Sequence, residues 1–201
     1  NSNECSEKRW FGSTHDIKKT KVWLCGDLVE INQYCIFNTP SCSFAIEMGH
    51  DLFAPIPPSS QLSIMGAEIV LNLSAESVLA GKDDYLRNQI SSQSARCIGG
   101  YVYAGAGFGE SSTDIVFNAQ ALIYENGKML AENLPFCTES QLVFSEIDIE
   151  HIRSERRKNN IFSESARETQ TNECVFINTD MMVSHSFALS RLYSPHPFIP
   201  D

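Results

Sequence analysis

An α/β fold is predicted from three features of the chain. Short runs rich in β-branched and aromatic residues recur along its length. An amphipathic segment over 82–98 separates two of them. The run Glu68 to Leu73 is almost continuously apolar, as in a strand covered on both faces.

In chain order, Val22–Cys25, Tyr34–Phe37 and Phe44–Met48 are expected strands. Pro55, Pro57 and Pro58 break the chain, and Ser59 is placed to cap a short helix over Ser60–Met65 that stops at Gly66. After the strand Glu68–Leu73, the helix Lys82–Ile98 sets Leu86, Ile90, Ser94 and Cys97 on one stripe, away from Arg87, Gln89 and Gln93. Gly99-Gly100 should end it before the strand Tyr101–Ala104. Ile115–Phe117, Gln120–Tyr124 and Lys128–Glu132 follow as strands. Asn126-Gly127 between the last two favours a type I′ hairpin. Leu142–Ile147 alternates like a half-exposed strand, and Glu150–Lys158 forms a charged helix. From about Asn159 the sequence turns polar and loses periodicity, ending in the extended Ser194-Pro195-His196-Pro197-Phe198-Ile199-Pro200.

Composition narrows the class. At 42% hydrophobic and 20% charged, 201 residues can fill one domain with a sizeable core, and neither disorder nor membrane burial fits. Apolar runs such as Ala67–Leu73 fall far short of the roughly 20 residues that span a bilayer. No signal-peptide pattern is visible, and the odd, unpatterned set of cysteines fits a cytosolic protein, so a cytoplasmic location is expected. A formal charge of −10 argues against binding nucleic-acid phosphates, and the basic run Arg153–Lys158 contains Glu155 and reads as a solvated helix face. The seven cysteines show no close CxxC pair and the five histidines no HExxH or HxxxH spacing. Reduced thiols and no metal site are expected.

From Ala67 onward the chain resembles one enzyme family densely. Gly66-Ala67-Glu68-Ile69-Val70-Leu71-Asn72-Leu73-Ser74-Ala75, Gln93-Ser94-Ala95-Arg96-Cys97 with Tyr101-Val102-Tyr103-Ala104, Gly109-Glu110-Ser111-Ser112-Thr113-Asp114 with Phe117, and Glu125-Asn126-Gly127-Lys128 occur in order. Glu7-Lys8-Arg9-Trp10-Phe11 precedes them and Pro195-His196-Pro197-Phe198-Ile199-Pro200 follows. These segments are similar to the glutamine-dependent NAD synthases, in the later half of their glutamine-hydrolysing domain. The resemblance implies a nitrilase-like four-layer αββα sandwich with its first part missing. It implies a partial carbon–nitrogen hydrolase domain over 1–158, then a polar linker over 159–201 toward a synthetase domain that this chain does not contain.

In that family a Glu–Lys–Cys triad hydrolyses glutamine through a thioester, with an oxyanion held by Lys and by the backbone N–H after the cysteine. The ammonia passes to a synthetase domain that uses ATP and Mg to amidate nicotinic acid adenine dinucleotide. The family's E-x-C-E-D-L-W segment reads Glu47-Met48-Gly49-His50-Asp51-Leu52-Phe53 here. By this resemblance Gly49 stands at the nucleophile position, and His50 replaces an acidic residue that helps hold substrate. Glu76 replaces the second serine of the NLSAS segment, whereas Lys82 keeps a basic residue near the substrate. With Phe53, these residues form the expected substrate end of the site. The triad's Glu and Lys lie upstream of the matching stretch, and the ATP-binding SGGxDS-type loop lies downstream. No cofactor is therefore expected in this chain, and no glutaminase activity.

Other residues are weighed on their own chemistry. Cys42 lies at the wrong end of its strand to replace the nucleophile, and Cys97 belongs to a helix core. His50 with Asp51 as its orienting neighbour suggests a general base, against which stands a drifted pocket residue. Glu47 and Asp51 are expected to hold the loop by hydrogen bonds. Asn72-Leu73-Ser74 fits a glycosylation sequon but ends a buried strand, and the glycines of Gly105–Gly109 follow no phosphate-loop pattern. Trp10 and Phe11 read as core anchors. Two functions compete: a fragment or degenerate copy of the glutaminase domain, with glutamine and the synthetase domain as family partners, and a non-catalytic nitrilase-fold assembly or regulatory module. A homo-oligomer is expected by resemblance under the second.

Overall fold

The computed structural model describes residues 20–168, 174–181 and 191. Nine strands are found among them: β1 (Thr20–Leu24), β2 (Asp27–Ile31), β3 (Cys35–Asn38), β4 (Ser43–Met48), β5 (Ile69–Ser74), β6 (Gly100–Gly105), β7 (Ala121–Glu125), β8 (Lys128–Glu132) and β9 (Val175–Asn178). The helices are α1 (Pro58–Ile64), α2 (Asp83–Cys97), α3 (Ile149–Lys158) and α4 (Asn160–Glu168). Strands β1 and β2 form a separate hairpin, and the other seven form one sheet in the order β8-β7-β6-β5-β4-β3-β9.

The centre of the sheet, β4-β5-β6, is parallel. Its flanks β3, β7 and β8 are antiparallel to their inner neighbours, and β9 is parallel to β3. Ala45, Val70, Tyr101 and Tyr124 stand in one row across four strands. Their side chains face α1 and α2, where Leu62 of α1 and Leu86 and Ile90 of α2 complete two buried clusters. On the opposite face Ile46, Met48 and Leu73 are exposed. The described residues thus supply one helical layer and one sheet, two of the four layers of the expected sandwich.

α3 clamps the lower ends of the strands. Asp148 caps it by accepting the His151 N–H at 2.9 Å. Arg153 pairs with Glu68 at 2.5 Å. Arg156 is half-buried and donates to the carbonyls of Ala67 (2.8 Å), Ile98 (2.9 Å) and Cys97 (2.9 Å). Burial pulls the Arg156 guanidinium down to about 10. The basic run is therefore partly structural, and only part of it is a solvated face.

Several expectations are corrected. α1 begins at Pro58, with the proline at its first position, and Ser59 lies inside the first turn instead of capping it. Gln93 is buried with the α2 stripe, because its amide donates to Ser59 Oγ and Ser60 Oγ at 2.9 Å. The left-handed turn ending α2 is made by Ile98 (φ +44), not by a glycine. Gly99 and Gly100 are needed for close approach. A Cβ on Gly99 would sit 2.8 Å from the Glu68 carbonyl, and one on Gly100 would sit 2.9 Å from Ile147 Cδ1.

Ile115–Phe117 is loop, not strand, since Ser112 Oγ accepts the Ile115 N–H and Ser111 Oγ accepts the Phe117 N–H. Leu142–Ile147 is also irregular, with Leu142 and Phe144 exposed. The hairpin partner β2 escaped the periodicity reading, although Cys25-Gly26 makes a two-residue turn with both φ values positive. The Asn126-Gly127 turn (φ +46 and +84) is as expected. Beyond 158 the chain does not simply become linker: α4 contacts α1, and β9 extends the sheet alongside β3. Residues 1–19 (with Trp10 and Phe11) and the segment 195–200 lie outside the described residues. No helix among those described is long and apolar enough to cross a membrane.

Candidate functional site

The candidate site gathers where the three parallel strands end, the usual place for a ligand in an open α/β sheet. β4 stops at Met48, and Gly49 (φ +43) turns the chain sharply into the 3-10 turn Gly49–Phe53. A sharp turn between strand and helix is the backbone form that presents the reactive side chain at a nucleophile elbow. Gly49 has no side chain to present. A Cβ added at Gly49 would lie 3.6 Å from Ser74 Oγ and 3.7 Å from the Leu73 carbonyl, ordinary contacts in available space.

A polar network holds the elbow from below. Glu47, 2% exposed, accepts from the Ser59 N–H (2.9 Å), the Tyr101 hydroxyl and Asn72 Nδ2 (3.4 Å). Asn72 also donates to the Gly49 carbonyl at 3.3 Å. Burial first, then the Glu47 charge, pushes the Tyr101 phenol far above its ordinary value. Glu47 is thus the hydrogen-bonded loop holder expected from its position. Asn72 is 1% exposed, which closes the sequon to any modifying enzyme in the folded chain.

Beside the elbow lies a cavity of about 720 Å³. The loop after β4 contributes His50, Asp51 and Phe53, the stretch after β5 contributes Glu76 and Lys82, and the loop after β6 contributes Asn118 and Gln120. His50, Phe53, Glu76 and Lys82 are brought together on this wall, while Gly49 lies behind it against Ser74. Phe53 stacks on Tyr85 with ring centroids 5.7 Å apart, and the His50 ring meets the Phe53 edge at 5.6 Å.

Electrostatically the cavity centres on Glu76. His50 Nδ1 lies 2.6 Å from Glu76 Oε2, at ion-pair distance but without hydrogen-bond alignment. Lys82 Nζ lies 3.9 Å from Glu76 Oε1. The carboxylate beside His50 Nδ1 is that of Glu76, brought in from the end of the neighbouring strand. Sequence neighbours after a strand diverge, whereas residues from adjacent strand ends converge. Deeper in, Gln120 Nε2 donates to Asp83 Oδ1 at 2.8 Å. Burial raises the Asp83 carboxyl, but hydrogen bonds from Arg87 and Gln120 and the Arg87 charge outweigh it and hold it low.

Tyr85, Tyr103, Asp83, Asn118 and Gln120 were not anticipated from the sequence. Only Asp83, adjacent to Lys82 at the start of α2, carried a positional signal. Cys42 precedes β4, at the end away from the elbow, and Cys97 is buried, where desolvation pushes its thiol up. Neither lines the cavity. No group of three or more His, Cys, Asp or Glu suited to a metal occurs among the described residues.

No protein-family model matches the chain. Over 164 residues it is 34% identical to the glutamine-dependent NAD(+) synthetase of Mycobacterium tuberculosis, covering 80% of this chain and 24% of that protein. Over 122 residues it is 38% identical to the Mycobacterium leprae glutamine-dependent NAD(+) synthetase, covering 61% and 18%. The chain is a relative of the glutamine-dependent NAD(+) synthetases. It spans at most 24% of the length of these relatives.

Solved structures agree on the fold. A glutamine-dependent NAD(+) synthetase from Cytophaga hutchinsonii superposes with a TM-score of 0.58 at 21% identity, over 69% of this chain and 22% of that one. A carbon–nitrogen hydrolase from Helicobacter pylori G27 gives 0.54 at 16% identity, over 65% and 48%. The fold is nitrilase-like.

Proposed function

We propose that the chain is the later part of a glutamine amidohydrolase domain of the NAD synthetase type, and that it does not itself hydrolyse glutamine. In an intact enzyme such a domain supplies ammonia to a synthetase domain that amidates nicotinic acid adenine dinucleotide. The observation that carries this reading is Gly49: a left-handed turn next to a ready cavity, with no side chain to attack a carbonyl. Losing one member of a nucleophilic triad can cost on the order of a million-fold in rate. Neither nearby thiol reaches the position. His50, Phe53, Glu76 and Lys82 form the proposed substrate end of the cavity, and a cytoplasmic location fits the free thiols.

The test is to incubate the purified chain with L-glutamine and follow glutamate. No release above the buffer blank is expected, and release would overturn the proposal and direct attention to Cys42.

A second reading, a non-catalytic nitrilase-fold assembly or regulatory module, is favoured by the exposed Ile46, Met48 and Leu73 on the sheet face opposite α1 and α2. Under it the chain is a stable homo-oligomer, which light scattering detects. A strictly monomeric chain would discount it.

A further inference from the structure

Glu76 lies where two basic side chains, His50 and Lys82, converge on a cavity wall. One carboxylate oxygen faces His50 Nδ1 at 2.6 Å and the other faces Lys82 Nζ at 3.9 Å. Its side chain is 14% exposed, against 37% for His50 and 49% for Lys82, so the acid is the inner member and the two basic side chains reach in from nearer the rim. Two basic side chains, each facing one oxygen of a single carboxylate, is an arrangement in which proteins hold an acidic ligand.

The backbone of Glu76 is held separately, its N–H donating to Ser74 Oγ at 3.2 Å. The side chain is not what shapes the loop. With Lys82 half exposed, the pair adds little to stability. Its effect falls on what else can enter.

We propose that Glu76 is a built-in occupant of a carboxylate-binding subsite formed by Lys82 and His50, and that it closes the cavity to free carboxylate ligands. This rests on reading the cavity as the ligand site. A carboxylate tethered next to its partners has an effective concentration in the millimolar range or above, so a dissolved carboxylate must compete against it. A second carboxylate entering beside Glu76 would also meet like-charge repulsion at short range. Glu76 is therefore a specificity determinant: with it in place the cavity favours neutral or cationic ligands, and without it the same wall recognises an acid.

The test uses the full chain, the E76S variant and the isosteric E76Q variant, with His50 imidazole NMR shifts as the readout. The probes are acetate, L-glutamine and L-glutaminamide, in which the α-carboxylate is replaced by an amide. The chain as it stands should show no response to acetate or glutamine at millimolar concentration. E76S should respond to both, with glutaminamide binding at least about 10-fold more weakly than glutamine. Adding Lys82→Ala to E76S should remove the gain. E76Q keeps the side-chain volume and removes only the charge, so it too should gain an acetate response, which covers a failure of E76S to fold.

If neither variant gains an acetate response, or if the unaltered chain responds as strongly as they do, the proposal is wrong. It is equally wrong if E76S binds glutamine and glutaminamide alike. A response of E76S to acetate without one to glutamine would uphold the subsite and instead overturn the glutamine assignment of the cavity.

Discussion

The Tyr101 hydroxyl on β6 donates to the buried Glu47 carboxylate on β4, reaching across β5 beneath the Gly49 elbow. Asn72 on β5 donates to both Tyr101 Oη, at 2.9 Å, and Glu47. Three neighbouring parallel strands are thus tied together at the level where the loops depart. The position of the elbow depends on this network as well as on the strand register.

Tyr101→Phe should therefore lower stability by about 1.5–3 kcal/mol, the worth of a hydrogen bond to a charged group. Its pH dependence has a definite sign. Burial and Glu47 raise the Tyr101 pKa in the folded chain above that of a free phenol. The unfolded chain then loses this proton first, so stability is intact below about pH 10 and falls as pH rises beyond the unfolded value. Urea unfolding of both forms across the alkaline range should show a shallower decline for Tyr101→Phe. Equal slopes would mean that Tyr101 ionises as freely folded as unfolded.

Gly49→Ala should fold. The added Cβ finds only contacts of 3.6 Å and longer, so the penalty is that of a left-handed L-residue, about 1–2 kcal/mol. Gly49→Cys should behave alike and give a thiol that alkylates in the native state. A loss well beyond this range in urea unfolding would show that the elbow requires glycine for space.

Arg156→Met should be among the most damaging substitutions. Removing the guanidinium leaves the carbonyls of Ala67, Cys97 and Ile98 without this donor. At about 1–3 kcal/mol for each buried group left unsatisfied, the loss should exceed 3 kcal/mol. Arg156→Lys should recover only part of it, because one ammonium cannot reproduce the planar fork. Thermal unfolding of the two variants decides this. Near-native stability of Arg156→Met would mean that water replaces the side chain.

Native-state alkylation should separate the thiols. Cys25 is exposed at the hairpin turn, whereas Cys97 is buried and its thiol is pushed up by desolvation. Iodoacetamide at neutral pH followed by peptide mass mapping should find Cys25 modified early and Cys97 only after denaturation. Early modification of Cys97 would place α2 in a frequently opened state.

Much of the fold was legible because its signals are local. The apolar run before Asn72, the stripe on α2 and the Asn126-Gly127 turn each act within a few residues, and each element stands close to where it was expected. Errors came where hydrogen bonds are made by side chains or distant backbone. Ser111 and Ser112 draw Ile115–Phe117 out of a strand, and Glu47 takes the Ser59 N–H that a capping argument would leave free.

The sequence by itself determined the α/β class, most of the strands and helices, and the presence of His50, Phe53, Glu76 and Lys82 near one another. Only the tertiary structure decided that His50 faces Glu76, that Gln120 reaches Asp83, and that β9 returns to lie beside β3. The physical reason is register. Alternation within a strand settles which face a side chain takes, but the partner it meets across a strand end is fixed by how neighbouring strands align. That alignment depends on contacts between residues far apart in the chain.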